Sequence, residues 1–276
     1  MKKALLIGID YISKSSNLRL HGCINDANLI ASTIIDAYGY ERKNIKMIRD
    51  DSVNSSLAPT KANIYREIRD ILNSNAEEIW IHYSGHGTFR KDDDGDEVDN
   101  NDEVIIPLDY ETEGIISDDM LFDLLNKNTN SKILLTFDCC NSGSLFDLPW
   151  RFEYSNNNFN RYSEKAYNLQ NKNIVMISAC RDTQLAIDTW DDEKRMSTGG
   201  MTPCLIEALR FNNFNVAIFK LFKDMCEYQK IKNRKQITTL SSSSKFPDFK
   251  FLKPGKMKKN DEIYNYSNDY NESFLR

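Results

Sequence analysis

The chain is 276 residues long, carries a formal net charge of −5 at pH 7 and is 40% apolar. This length suits one substantial domain or two small ones, and the composition is that of a folded chain rather than a disordered one. The acidic excess argues against a nucleic-acid partner, because phosphate binding requires a surplus of Lys and Arg.

The chain contains no segment typical of a membrane span or of a secretory leader. A span needs about 18 consecutive apolar residues, and the N-terminal run from Ala4 to Ile9 is much shorter. The six Cys residues include no CxxC pair, which argues against a zinc site or a disulfide framework. We therefore expect a cytoplasmic protein with free thiols and no membrane partner.

Short runs rich in Ile, Leu and Val alternate with segments of helical period, which is the pattern of βαβ units. The predicted strands are Lys3–Ile9, Ile45–Arg49, Glu78–Ser84, Lys132–Asp138 and Ile174–Ala179. The predicted helix starts are Asn25 or Asp26, Thr60, Ser117, Thr202 with Pro203, and Asn215. We predict an α/β fold built on a mostly parallel sheet.

Three segments lack a clear period and are predicted to be loops: Thr88–Asn101, Ser144–Asn173 and the tail from about Pro254. The second is long, and loops of such length inside a compact domain are usually functional or disordered. It divides the chain into a large front part and a smaller back part.

Two of the predicted strands end in unusual clusters of polar and small residues. The third ends in the run His82–Gly87, and the fourth in the run Asp138–Gly143. Because ligands bind outside the carboxyl ends of strands in open α/β sheets, both clusters are expected at the same edge. A thiol with a pKa of about 8.5 is mostly protonated at neutral pH, and an imidazole with a pKa near 6.5 can accept its proton. We predict Cys140 as nucleophile and His86 as its acid/base partner, with nearby backbone N–H groups stabilising the oxyanion.

These two clusters resemble the paired catalytic motifs of the metacaspases, caspase-like cysteine peptidases of plants, fungi, protists and bacteria. His86 and Cys140 are 54 positions apart, close to the roughly 50 of caspases. The resemblance extends over about Ala4 to Leu252 and includes the runs Leu20–Ala27, Ile105–Asp109, Ile177–Gln184 and Gly200–Thr202. It implies a cysteine endopeptidase.

The resemblance also implies the caspase-haemoglobinase fold, with helices on both faces of the central sheet. A single caspase-like domain is expected over residues 1–253, followed by a tail, 254–276. Within the domain, we expect a large-subunit-like part, 1–143, a linker loop, 144–173, and a small-subunit-like part, 174–253.

The resemblance further implies cleavage of protein or peptide substrates after Arg or Lys. In the family, the basic P1 side chain enters an acidic pocket, and the matching positions are Asp26 and Asp138, with Ser84 and Cys23 beside them. Paired carboxylates bind guanidinium or ammonium groups by charge-assisted hydrogen bonds and repel an Asp side chain. From the residues alone, Asp26 is better explained as a helix N-cap, and Cys23 is equally well explained as a small buried thiol.

Calcium is the cofactor that the resemblance implies, through carboxylates that fall on Asp102, Asp118, Asp119 and Asp147. Carboxylate oxygens and waters suit a hard cation of this size. Without the resemblance, Asp118 and Asp119 are explained by a first helical turn, where acidic side chains interact favourably with the helix dipole.

One residue departs from the family pattern: Asn141 follows the nucleophile, where His is common. Activity is expected to survive, because this side chain is not the general base. The chain is also expected to lack the Pro-rich or zinc-finger prodomain of some relatives. The long segment offers self-cleavage sites at Arg151, Arg161, Lys165 and Lys172.

Three other functions compete with a peptidase for basic residues. A true caspase would cleave after Asp. A catalytically silent caspase-like scaffold or regulator would use the fold for binding alone, although the intact Cys140 and His86 argue against it. A nucleotide-binding domain would need a G-x-G-x-x-G or Walker lysine motif, which the sequence lacks. We expect a monomer, because metacaspases generally do not dimerise through a sheet edge as caspases do.

Overall fold

The computed structural model describes residues 1–91, 101–140, 145–164, 169–179, 189–191, 196–232 and 238–254 of the chain. Its helices are α1 (Cys23–Tyr38), α2 (Lys61–Leu72), α3 (Tyr110–Glu113), α4 (Asp118–Leu125), α5 (Thr202–Phe211) and α6 (Ile218–Ile231). Its strands are β1 (Lys2–Gly8), β2 (Ile45–Arg49), β3 (Glu78–Ser84), β4 (Gly87–Lys91), β5 (Asn101–Ile105), β6 (Ile116–Ser117), β7 (Lys132–Asp138), β8 (Trp150–Ser155), β9 (Asn158–Ser163), β10 (Ile174–Ser178), β11 (Thr189–Asp191), β12 (Met196–Thr198), β13 (Val216–Ala217), β14 (Thr239–Ser242) and β15 (Lys250–Phe251).

Within these residues, eight strands form one central sheet in the order β2-β1-β3-β7-β10-β14-β8-β9. The first five strands of this order are parallel, and they are the five that the sequence predicts, to within one residue at either end. Strands β14, β8 and β9 extend the sheet in antiparallel fashion. Parallel strands present their carboxyl ends at the same edge, so the polar clusters that follow β3 and β7 lie at one edge of the sheet.

The sheet is buried on both faces, because successive side chains of a strand point to opposite sides. In β1, Leu6 packs into one core with α1, α5 and α6, whereas Ile7 packs into a second core with α2 and α4. The predicted helices on both faces are therefore present. No described helix combines the length and the apolar character needed to cross a bilayer.

Two predicted helix caps are confirmed and one is wrong. The hydroxyls of Thr60 and Ser117 accept hydrogen bonds from backbone N–H groups at the starts of α2 and α4. Helix α1, however, begins at Cys23 with Gly22 at its N-cap, so Asp26 lies in the first turn without capping it. Its carboxylate is drawn into the protein by other donors, described below.

The starts of the last two helices also differ from the prediction. Thr202 is the first residue of α5, and Met201 occupies the N-cap. Helix α6 begins at Ile218 rather than at Asn215, because Val216 and Ala217 first pair with β15 as strand β13. Tertiary strand pairing thus overrides the local helix signal at this position.

The predicted loop Ser144–Asn173 is wrong over residues 150–163, which form the β8–β9 hairpin. Side chains of β8 alternate, with Phe152 and Tyr154 buried between partly exposed neighbours. Asn156 and Asn157 both adopt positive φ, 50° and 61°, as a two-residue hairpin turn requires. This alternation and the Asn-Asn pair are the signals that would have identified the hairpin.

The other predicted loops are only partly described. Residues 88–91 and 101 of the predicted loop Thr88–Asn101 belong to strands β4 and β5, so the loop prediction is wrong there. The rest of that loop, residues 92–100, lies outside the described residues, as do 141–144, 165–168 and the tail from 255. The domain boundaries at 143, 173 and 253 remain predictions.

Candidate active site

The two predicted catalytic residues follow neighbouring strand ends. In the parallel pairing of β3 with β7, Ser84 lies opposite Asp138, and His86 and Cys140 each come two residues later along the chain. A side chain added at Gly87 would overlap the carbonyl oxygen of Cys140. The backbone next to His86 therefore packs directly against the backbone of Cys140, and only glycine fits at this contact.

The imidazole of His86 is held by one backbone carbonyl. Its Nε2 lies 2.8 Å from the carbonyl oxygen of Leu18. Because a carbonyl can only accept a hydrogen bond, Nε2 must carry the hydrogen, and in the neutral ring the lone pair is then on Nδ1. The ring is thus fixed in the tautomer that can accept a proton at Nδ1.

Two buried tyrosines hold the backbone of His86. Its N–H donates to the hydroxyl of Tyr11 at 3.0 Å, and its carbonyl accepts from the hydroxyl of Tyr83 at 2.8 Å. The ring of Tyr11 also lies against the imidazole, with centroids 4.6 Å apart. Our sequence reasoning missed Tyr11 and Leu18, although Tyr11 follows the carboxyl end of β1 and so meets the criterion that identified His86.

Other described residues of the two motifs are buried. Cys140 is 6% exposed, and Cys139 is fully buried. His82 is also buried, shares a 3.0 Å hydrogen bond with Thr136 and belongs to the core rather than to the site. Burial lowers the pKa of His82 to about 3, so this ring is neutral. Asn141 lies outside the described residues.

The two aspartates of the predicted P1 pocket converge on one glycine. Asp26 and Asp138 are 0% and 3% exposed, and a Cβ added at Gly199 would lie 2.6 Å from Asp26 Oδ2 and would overlap Asp138 Oδ2. The Ser84 hydroxyl donates to Asp26 at 2.8 Å, and the Gly199 N–H donates to both oxygens of Asp26 at 3.1 and 3.0 Å. These donors explain why Asp26 does not cap its helix.

Burial of this pair has an electrostatic consequence. Backbone N–H groups of Met201 and Thr202 donate to Asp138 at 3.0 and 2.7 Å. Burial first, and then the charge of Asp138, raises the pKa of Asp26 well above its usual range. Burial, followed by the charge of Asp26, likewise raises the pKa of the neighbouring Cys23 thiol. The four residues predicted for the pocket therefore lie together, in surroundings where a second negative charge is unfavourable.

Three of the four residues predicted to bind calcium also lie together. Carboxylate oxygens of Asp102, Asp118 and Asp119 approach within 4.8 Å of one another. Asp102 is on β5, and the other two residues open α4. Asp147 is buried but is not part of this group of three.

The surroundings of this acidic group are partly buried and contain both hydrogen-bond donors and a positive charge. Backbone N–H groups of Glu103 and Asp119 each donate to Asp118 at 2.9 Å. Burial nevertheless raises the pKa of Asp118 to about 7, with a further contribution from the charge of Asp102. Arg90 already supplies one positive charge, because its Nε donates to Asp102 at 2.7 Å.

Metacaspases are among the known proteins with similar sequences. A family model described as the metacaspase, peptidase C14 domain matches residues 2–149, just over half of the chain. Metacaspase-1A of Neurospora crassa is 43% identical over 153 residues, and Metacaspase-1 of Saccharomyces cerevisiae is 41% identical over 155 residues. These alignments span 54% and 55% of the chain but only 33% and 35% of the two relatives, so the chain corresponds to about a third of their length.

Solved structures extend the likeness beyond the matched region. A protein of Geobacter sulfurreducens has a TM-score of 0.61 at 19% identity, and the match covers 92% of this chain and 94% of that one. Caspase-1 from Spodoptera frugiperda has a TM-score of 0.55 at 12% identity, and the match covers 88% and 86% of the two chains. At such identities the likeness concerns the fold, and the predicted caspase-haemoglobinase fold is confirmed. Together with the family match over residues 2–149, it establishes that the chain belongs to the metacaspases of peptidase family C14.

Proposed function

We propose that the chain is a cysteine endopeptidase that cleaves after Arg or Lys. Membership of the metacaspase family supports the reaction class, and the adjacent ends of β3 and β7 support His86 and Cys140 as the catalytic pair. The observation that carries the specificity is the buried carboxylate pair, Asp26 and Asp138, which converges on Gly199 beside the same strand ends.

The proposed mechanism is acyl transfer through Cys140. Nδ1 of His86 takes the thiol proton, and the thiolate attacks the scissile carbonyl carbon. The imidazolium then returns the proton to the leaving amine, which departs with the C–N bond electrons. Water, deprotonated by His86, hydrolyses the thioester and restores the thiol. Throughout, the carbonyl of Leu18 holds the Nε2 hydrogen and stabilises the imidazolium, the role that an orienting acceptor has in hydrolase triads.

The acidic pair discriminates between P1 side chains by charge. An arginyl or lysyl group brings a positive charge to the buried carboxylates, which favours their ionised forms and allows charge-assisted hydrogen bonds. A P1 Asp would add a third carboxylate where burial already raises the pKa of Asp26. This repulsion argues against cleavage after Asp, as true caspases perform.

We further propose that calcium binds at Asp102, Asp118 and Asp119, with Asp147 as a predicted fourth ligand. Carboxylate oxygens that lie within 4.8 Å of one another, partly buried and close to Arg90, suit a hard cation. When bound, calcium would neutralise the group and tie β5 to the start of α4.

The backbone connects this acidic group to the catalytic histidine. Strand β4 begins at Gly87, directly after His86, and pairs with β5 so that Arg90 lies opposite Asp102. At the other end of this β4–β5 strand pair, the N–H of Ile106 donates to the carbonyl of His86 at 3.1 Å. Calcium bound at Asp102 would hold β5 in place and would thereby stabilise the strand pair next to His86. This connection supports activation by calcium.

The β8–β9 hairpin supports a monomer. Strand β8 pairs with β14, so the hairpin covers the side of β14 that would otherwise be open to a second copy of the sheet.

The cysteines within the described residues are free thiols. Free thiols are typical of a reducing compartment, which supports the proposal of a cytoplasmic protein.

Self-cleavage within residues 144–173 is also proposed. The β8–β9 hairpin makes some of the basic residues in this segment less accessible than others. A peptidase binds its substrate as an extended chain with an accessible backbone. Arg151 and Arg161 lie within paired strands, and β8 is paired on both sides. Lys172 is exposed and lies outside any strand, so it is the better site; Lys165 lies outside the described residues.

The first prediction concerns the P1 residue. Fluorogenic peptides that differ only at P1 are expected to be cleaved after Arg and Lys, and at least roughly hundredfold more slowly after Asp, because of charge repulsion in the pocket. Cys140→Ala should abolish cleavage, whereas Cys226→Ala, a thiol on α6, should retain it. Preferential cleavage after Asp would refute the specificity. Absence of both cleavage and labelling of Cys140 by an arginyl chloromethylketone would favour a silent scaffold.

The second prediction concerns Asp26→Asn. Loss of one partner of a buried charged site typically costs about 2–5 kcal/mol, so kcat/KM for Arg substrates should fall by roughly hundredfold. The free energy of unfolding, in contrast to activity, should rise in the variant. In wild type, the pKa of Asp26 is higher in the folded than in the unfolded state, so the folded state binds more protons above the usual aspartate range. The stability of wild type therefore falls as pH rises through that range. Thermal unfolding should therefore give a higher Tm for the variant at pH 8, with the gap closing toward pH 4.

The control for this prediction is Asp36→Asn, an exposed residue of the same helix. It should change neither kcat/KM nor Tm, because exposed substitutions usually have small effects. An Asp26→Asn protein that is less stable than wild type at pH 8, or that keeps its preference for Arg, would contradict the assignment of Asp26.

The third prediction concerns calcium. Isothermal titration of the metal-free protein should show calcium binding, and Asp118→Asn should weaken it by roughly tenfold or more, equivalent to about 1.4 kcal/mol. Asp123→Asn, an exposed residue on the same helix α4, serves as the matched control and should bind as wild type does. Equal affinity in Asp118→Asn and wild type would remove this group as the calcium site.

The fourth prediction concerns self-cleavage. Mass spectrometry of the chain incubated with calcium should detect a cut after Lys172 or Lys165 and none after Arg151. The cut should be absent in Cys140→Ala, and Lys172→Ala should remove the Lys172 product. A chain that stays intact while it cleaves added peptides would eliminate self-processing but not the peptidase.

A further inference from the structure

Tyr11 lies in a backbone conformation that a bulky residue rarely adopts. Its φ is 53°, in the left-handed region. The carboxylate of Asp50 fixes the residues on both sides, accepting from the N–H of Asp10 at 3.0 Å and from the N–H of Ile12 at 2.8 Å. One partly exposed acceptor group thus holds the turn from both sides and maintains a conformation that is otherwise unfavourable.

The clamped turn directs the side chain of Tyr11 to the inside of the protein, where it is 1% exposed. Its hydroxyl accepts from the N–H of His86 at 3.0 Å and donates to the carbonyl of Ile106 at 2.6 Å. Its ring lies 4.6 Å from the imidazole at an interplanar angle of 40°. Tyr11 therefore contacts both the backbone and the ring of His86, and also the end of strand β5.

Other contacts restrain the remaining polar groups of the histidine. The carbonyl of His86 accepts from Tyr83, and Nε2 donates to Leu18. In the described part of the chain, no recorded hydrogen bond uses Nδ1. The direction in which Nδ1 points is consequently set by the groups that hold the rest of the residue. Of Tyr11, Tyr83 and Leu18, Tyr11 alone contacts both ring and backbone.

We propose that Tyr11 is a positioning residue, which sets the orientation of the His86 imidazole toward Cys140 through its hydroxyl and its ring. This inference rests on the proposed function of His86 and Cys140. Burial raises the pKa of Tyr11, so the hydroxyl stays protonated and cannot compete with His86 for the catalytic proton. Its part in catalysis is to orient the imidazole. The unfavourable positive φ of Tyr11 is retained because it places the side chain against His86.

The test compares Tyr11→Phe, which removes only the hydroxyl, with Tyr38→Phe. Tyr38 is 3% exposed, and its hydroxyl has no hydrogen-bond partner among the described residues. It therefore controls for the loss of a buried hydroxyl elsewhere. For an Arg peptide, Tyr11→Phe should lower kcat by roughly 10- to 100-fold, since small misplacements of catalytic groups have effects of this size, and should leave KM within about twofold. Tyr38→Phe should change neither constant.

A second readout needs no substrate. Alkylation of Cys140 by iodoacetamide, followed across pH by tandem mass spectrometry, reports how readily His86 takes the thiol proton. In Tyr11→Phe the alkylation profile should shift to higher pH, and in Tyr38→Phe it should not. If wild type fails to cleave Arg and Lys peptides, the proposed function is wrong, but this profile still tests whether Tyr11 orients the histidine.

The inference is overturned if Tyr11→Phe keeps the wild-type alkylation profile, or if its kcat stays within about twofold of wild type. A purely structural role would lower Tm without shifting the profile of the folded protein. If Tyr11→Phe does not fold, Asp50→Asn replaces it, because this change loosens the turn without altering the tyrosine. The same upward shift of the profile supports the proposal, and an unchanged profile refutes it.

Discussion

The in-register parallel pairing of β3 with β7 is the constraint on which the site depends. It sets Ser84 opposite Asp138, so the residues that follow both strands leave the sheet at the same level. A slip of one residue would turn every side chain of one strand to the other face. It would exchange the buried His82 with its neighbours and separate the carboxylate of Asp138 from that of Asp26. The apolar cores on both faces prevent this slip, and so the packing of the sheet also fixes the chemistry at its edge.

The acidic pair illustrates a conflict between stability and function. Two carboxylates buried around Gly199 are unfavourable in the absence of a cation, which is why burial raises the pKa of Asp26. The fold compensates with backbone donors from the start of α5 and with the hydroxyl of Ser84. Under the proposed specificity for Arg and Lys, a basic P1 group that enters this site would relieve the repulsion, and the energy gained would serve recognition. Charge selectivity and local instability would then have a common cause.

Sequence reasoning succeeded where the signal is local and apolar. The bounds of β3 and β7 were predicted correctly because each is an almost completely buried run between breaks in the pattern. It failed at Asp26, where the tendency of an Asp to cap a helix was overridden by a tertiary hydrogen bond to Ser84. It also missed Leu18, because the contact to His86 uses a backbone carbonyl, which any residue would provide. The positive φ of Tyr11 has no signature in the residue type either, since such conformations favour Gly or Asn.

The contrast between contacts made by side chains and contacts made by the backbone also explains why the family model matches less of the chain than the solved structures do. The family model ends at residue 149, whereas the structural match covers 92% of the chain. Yet the site needs the later part, because N–H groups of Gly199, Met201 and Thr202 hold the two aspartates. Two of these three donors demand a backbone position and not a particular side chain, and only Gly199 is restricted by the space that the carboxylates leave. A segment that acts through its backbone can keep its place in the fold with few fixed residue types, which accounts for a structural match that extends further along the chain than the family model.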